Sequence, residues 1–236
     1  LLGWAIAFVL YGFIAGNLVS SVDSFASSEQ FRRLIETLGG TDQLTDAYLA
    51  YMFSIAALLT AAYGVAVTLR LRTEEESGHA ELVLAASVSR TRWLASHLLV
   101  ALAGTAALSV IIGVTAGLAS AQQAGSIDSA LPILGAALAF LPAIWVFTGF
   151  VVLMFGFAPR LTVLAWGLLV GLALVAELGP AVNLPAWTLD LSPFAHIPRL
   201  PGAAMKWNPL VVLMVIAAAL VALGVVRFRQ RDIVSA

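Results

Sequence analysis

Ala130–Phe157 reads ALPILGAALAFLPAIWVFTGFVVLMFGF, without a charged residue from end to end. About 20 consecutive apolar residues suffice for a helix to cross a hydrocarbon core. A segment in that environment must also satisfy its own backbone amides, which leaves helices or closed barrels. Strands of a membrane barrel would alternate apolar and polar residues over about ten positions; this run is continuous. It is read as a spanning helix. The same criterion, carried outward, finds five more spans at 1–22, 47–70, 93–119, 161–179 and 208–227. The expected fold is all-α: one integral membrane bundle of six transmembrane helices over 1–236, with a cytoplasmic helix at 73–92 and outer connections at 23–46 and 179–207.

Composition agrees. The chain is 61% hydrophobic and 11% charged, against about 25% charged in soluble domains, and its mean hydropathy is +0.99. A soluble enzyme could not cover its surface with so little charge. The chain has no cysteine, which excludes disulfides, thiolate zinc sites and cysteine nucleophiles. A net charge of −1 offers no field to attract nucleic acid. Leu1 already lies in a spanning run, so the start reads as the edge of a longer chain. Arginine supplies every basic residue except Lys206, a bias that suggests a high-GC bacterial genome.

Orientation follows from counting Arg and Lys in the connections. Arg70, Arg72, Arg90, Arg92, Arg160, Arg227, Arg229 and Arg231 fall on one side, and Arg32, Arg33, Arg199 and Lys206 on the other. The richer side is expected in the cytoplasm of a bacterial inner (plasma) membrane, with both termini there. On the outer side, Ser27 and Gln30 form a capping box, and Phe31, Leu34, Ile35 and Leu38 fall on one face. That pattern predicts a short amphipathic helix, stopped by Gly39-Gly40. The 179–207 connection holds Pro180, Pro185, Pro193, Pro198 and Pro201 with Trp187 and Trp207. Proline at this density forbids a spanning helix, so a re-entrant or cap-like element is expected, with its tryptophans at headgroup level.

The stretch Leu69–Trp93, LRLRTEEESGHAELVLAASVSRTRW, is the richest in polar chemistry. Thr73 and Glu76 have capping-box spacing, and Glu74 and Glu75 complement a helix N-terminus. His79, Leu82, Val83 and Ala86 share a face, and Ser89 can cap the next helix. One reading is a coupling helix that docks in a groove of a motor protein, apolar anchors inside and charges at the rim. The other is an ordinary interfacial helix, although anionic lipid should repel Glu74, Glu75, Glu76 and Glu81.

Other chemistry is thin. A P-loop needs lysine followed by Ser or Thr, and Lys206 precedes Trp207. No HExxH or GxSxG accompanies His79, His97 and His196. His97 reads as an interhelical hydrogen bonder and His196 as a loop residue. No catalytic or metal-ligating residue is assigned. Asn17, Thr105, Thr148 and Glu177 could line a polar path; the alternatives are packing hydrogen bonds and, for Glu177, a carboxylate that reaches headgroup water. Gly12–Gly16, Gly113–Gly117 and Gly167–Gly171 are GxxxG pairs that permit close helix packing, with dimer contact through the first or fifth span as the sharper option. Pro142 is expected to kink the fourth span.

The run DAYLAYMFSIAALLTAAYGVAVTLRLR with TEEESGHAELVLAASVSRTRW, the outer LSPFAHIPRLPG at Leu191–Gly202 and the terminal RFRQRDI resemble ABC type-2 exporter permeases, especially actinobacterial antibiotic exporters of the tetronasin or polyketide type. The resemblance implies one six-helix half of a twelve-helix export channel for hydrophobic or amphipathic compounds such as drugs. It implies a partner ATPase that holds ATP and magnesium, with no cofactor bound by this chain. It implies too that Glu74, Glu75, Glu76, Gly78 and Glu81 belong to the segment facing that ATPase, with Arg90 and Arg92 anchoring it at the membrane. The remaining partners are a second six-helix half, membrane lipid and a hydrophobic small molecule. Two other functions fit the residues alone: an ion-gradient carrier using Glu177, and a membrane scaffold that transports nothing.

Overall fold

A computed structural model describes residues 2–26, 41–77, 89–178 and 184–230, with backbone alone at 20–26, 41–44, 129, 177 and 178. The amphipathic stretch at 27–40, the segment 78–88 with Gly78, His79 and Glu81, Pro180 and Arg231 lie outside the described residues.

Most of the described residues are helical, with no strand among them. The principal helices are α1 (Leu2–Ala26), α2 (Thr41–Glu76), α3 (Arg90–Ala124), α4 (Ala130–Leu138), α5 (Leu141–Phe157), α6 (Leu164–Leu178), the short α7 (Ala186–Leu189) and α8 (Trp207–Gln230). Taking α4 and α5 together, six helical segments among the described residues are long and apolar enough to cross a membrane. This is the multi-pass all-α membrane architecture expected. The second and third spans run past their apolar cores into polar turns, because Glu, Arg, Thr and Gln extend a helix at little cost once it is nucleated.

The fourth span is not one kinked rod. Its chain breaks at Ala139-Phe140, and Pro142 takes the second position of α5. Proline has no N–H to give the preceding turn, and its ring is tolerated only in a helix's first turn. The predicted kink is therefore an interruption between two helices.

The chain forms two compact units, Leu1–Ala57 with Ala106–Leu141 and Ile197–Trp207, and Leu58–Thr105 with Pro142–His196 and Asn208–Ala236. In the first, small residues set the helix crossings. A Cβ at Gly16 would lie 2.5 Å from the Ala116 carbonyl and 2.6 Å from the Ala119 Cβ; one at Gly117 would lie 2.9 Å from the Ala130 carbonyl. Both GxxxG pairs of this unit are thus packed against neighbours. Tyr11 donates its hydroxyl to the Met52 carbonyl at 3.0 Å. Gly125, at φ 68°, ends α3 in the left-handed conformation that glycine adopts without Cβ strain. Gly202 of the proline-rich connection lies against Asp46 near the start of α2, so those two sequence-distant segments meet.

In the second unit, Gly149, Gly156 and Gly224 bring α5 and α8 into backbone contact. A Cβ at Gly167 or Gly171, by contrast, would meet nothing within 4 Å among the described residues. Phe194, in a 3-10 turn at Pro193–His196, stacks on Phe147 of α5 with centroids 5.6 Å apart. Trp187 and Trp207 are exposed.

Candidate functional site

The polar chemistry of the second unit gathers where α2 ends and α3 begins. Thr73 starts no helix: α2 runs unbroken through Glu76, and the Ser77 amide donates to the Thr73 carbonyl at 3.0 Å. The expected capping box is corrected accordingly. A TxxE spacing marks an N-terminus only if the chain before it is not helical, and here the apolar span delivers a helix already formed. Glu74, Glu75 and Glu76 therefore crowd a helix C-terminus, where the macrodipole disfavours negative charge.

Partners offset that penalty. Arg72 pairs with Glu76 at 2.7 Å, one turn along α2, and donates to the Arg160 carbonyl at 3.3 Å. The two oxygens of Glu74 are divided between two residues of α3. Oε2 accepts from the Trp93 indole N–H at 3.3 Å, and Oε1 lies 3.1 Å from His97 Nε2. His97 Nδ1 lies 3.1 Å from the Trp93 carbonyl. Both neighbours of the imidazole are acceptors, so a neutral ring donates to one of them and a doubly protonated ring to both. The ring is well covered and the carboxylate about one-third exposed, which screens the pair only in part. His97 is the interhelical hydrogen bonder expected.

Across the connection, Ser89 caps α3 as predicted: its Oγ accepts from the Arg92 amide at 3.3 Å, and the Trp93 amide donates to its carbonyl at 3.0 Å. Trp93 is the keystone. Its ring lies 5.2 Å from His97, 6.0 Å from Phe228 and 6.4 Å from Phe155. Leu71 and Leu94 complete this buried cluster. Arg227 lies over the Phe157 ring at 4.7 Å. Residues of α2, α3, α5 and α8 are thereby locked at one end, and the arginines at 72, 160 and 227 are found at that same end.

The remaining candidates divide. Thr148 and Thr105 converge on Gly64, whose built Cβ would lie 3.1 Å from Thr148 Oγ1 and from Thr105 Cγ2. Thr105 accepts from the Trp145 indole at 3.0 Å and donates to the Ala101 carbonyl. The buried Thr148 hydroxyl finds no partner among the described residues. Asn17, in the first unit, accepts from Gln123 at 3.1 Å. The side chain of Glu177 and all of Gly78 and Glu81 lie outside the described residues. His196 bonds the Asp190 carbonyl at 2.9 Å within its loop. Among the described residues, no three His, Asp or Glu side chains gather as metal ligands would.

The Glu74–His97 bond and the role of Trp93 were not legible in the sequence. Twenty-odd residues separate them, and a boundary tryptophan reads only as a headgroup anchor. The usable signal was that Glu74 and His97 flank one connection, the acid at the end of one span and the histidine one turn into the next.

Six apolar spans, small residues at their crossings and helix ends locked by aromatic packing define a multi-pass helical membrane protein. The chain belongs to the family described as multidrug efflux system permease Rv1217c, C-terminal domain, whose sequence model matches residues 1–229. It is 43% identical over 235 residues to the multidrug efflux system permease protein Rv1217c of Mycobacterium tuberculosis (strain ATCC 25618 / H37Rv). That match covers 99% of this chain and 43% of the relative, so the chain spans less than half of the relative's length. The membership agrees with the exporter-permease resemblance.

Proposed function

We propose that this chain is a six-helix half of an export permease that moves hydrophobic or amphipathic compounds, drugs and antibiotics among them, out of a bacterial cell. Energy comes from ATP, held with magnesium by a separate ABC ATPase. The arginine-rich end faces the cytoplasm of the inner membrane, and a second six-helix half completes the export channel. The observation that carries this reading is the family membership, which runs along nearly the whole chain.

The charged end supports a coupling role for it. Glu74, Glu75, Glu76, Gly78 and Glu81, with Arg90 and Arg92, belong to the cytoplasmic segment facing the ATPase. A motor can drive the permease only if its ATP-bound state favours one arrangement of the membrane helices over another. Acidic residues at a helix end rooted in packed aromatics offer such a lever.

The test reconstitutes the full-length permease with its copurifying ATPase in proteoliposomes and follows ATP-dependent movement of rhodamine 6G. Glu75→Lys with Glu81→Lys is expected to abolish ATPase binding or stimulated hydrolysis while the permease still inserts. Dye transport that runs without ATP and collapses with an uncoupler would instead select an ion-gradient carrier.

A further inference from the structure

We propose that Glu74, His97 and Trp93 act as a clamp: they tie the last turn of α2 to the first turns of α3 so that both helices move as one when the cytoplasmic connection is driven. Glu74 is then a positioning residue, not a contact for the motor. The inference rests on the ATP-driven reading above and deepens it.

Geometry carries it. Glu74 is one residue among three consecutive acids, yet its carboxylate turns to α3 and engages both oxygens there, at 3.1 Å and 3.3 Å. Glu76 instead pairs along its own helix, with Arg72. Trp93 contributes at two levels, since its N–H holds the acid and its carbonyl meets His97 Nδ1. Its ring, 4% exposed, is set among Phe155 and Phe228. A charge-assisted bond whose donors are fixed by packing loses little entropy when it forms. The clamp therefore joins α2 and α3 to the same buried cluster that receives α5 and α8.

The mechanical consequence is definite. A connection whose two ends can slide past each other absorbs a push as local distortion. One whose ends are tied passes that push to two spanning helices together, and coupling between sites requires such an element with discrete arrangements.

Two readouts test it in the full-length protein. In the first, Glu74→Gln, Glu74→Ala, His97→Ala and the exchanged pair Glu74→His with His97→Glu are reconstituted with the ATPase. Either alanine change should cut dye moved per ATP hydrolysed about tenfold, with the amount of ATPase bound unchanged, and Glu74→Gln should lose less than Glu74→Ala. The exchanged pair should recover most of the loss, which a general structural defect would not allow. In the second, spin labels at Ser77→Cys and Ala95→Cys, both exposed positions, report the distance between the helix ends without any ATPase. That distribution should be narrow in the parent, broad in either alanine variant and narrow again in the exchanged pair. Loss of ATPase binding in the alanine variants would make Glu74 a contact residue and overturn the clamp, as would unchanged distances. Intact distances behaviour with no ATP-dependent transport in the parent protein would overturn the proposed function and leave the clamp standing as a tether.

Discussion

Gly224→Ala is the sharpest perturbation of the packing. A Cβ at this position would lie 2.6 Å from the Val152 carbonyl oxygen, 2.7 Å from its carbon and 2.8 Å from the Leu153 nitrogen. All three are helix backbone, so no side chain can swing away. Ordinary contact begins near 3.4 Å, so α5 and α8 must part by about 0.8 Å at the crossing. A gap of 0.5–1 Å forfeits roughly a quarter to a half of each dispersion contact it opens. Gly156 and Gly149 share the interface, and the tilted Phe155–Phe228 ring pair, centroids 5.3 Å apart, lies beside it. Overpacking of this kind costs about 1–3 kcal/mol. Unfolding of the purified protein in a fixed detergent, followed by tryptophan fluorescence, measures the difference. Gly167→Ala and Gly171→Ala are the controls, since open space surrounds them; alanine's better helix propensity should leave stability level or slightly raised. Equal destabilisation at positions 167 and 224, or none at 224, would refute the argument that backbone contact fixes the α5–α8 crossing.

Phe228→Ala, at a residue 1% exposed, should cost about 3 kcal/mol or more through the cavity it leaves, read by the same unfolding assay. Thr148→Val keeps shape and removes a buried hydroxyl without a partner, so stability should rise by about 1 kcal/mol. A transport loss alongside that gain would place the hydroxyl on the substrate path; wild-type transport would make it a packing residue. Arg72→Ala should cost less than about 1 kcal/mol, because its carboxylate partner is more than half exposed; a larger loss by the unfolding assay would mean that the bond to the Arg160 carbonyl carries the helix end.

The six spans were legible because length and apolarity are local quantities, and the membrane imposes both on each segment separately. Ser89 as a cap was legible for the same reason, since a cap is satisfied within its own first turn. The Thr73 capping box misled because the same four residues also suit a continuing helix, and only the preceding span decides between the two. Pro142 announced a disturbance without its form: whether α4 and α5 bend or part depends on what each packs against. The three GxxxG pairs look alike as strings, yet two are packed and Gly167–Gly171 meets no neighbour among the described residues.

Sequence by itself determined that this chain is a six-span helical membrane protein, since hydropathy acts residue by residue. Tertiary structure alone decided which groups Glu74 meets there. A carboxylate's role depends on which donors lie within about 3 Å, and those donors, Trp93 and His97, arrive on another helix through packing against Phe155 and Phe228 that no linear pattern encodes.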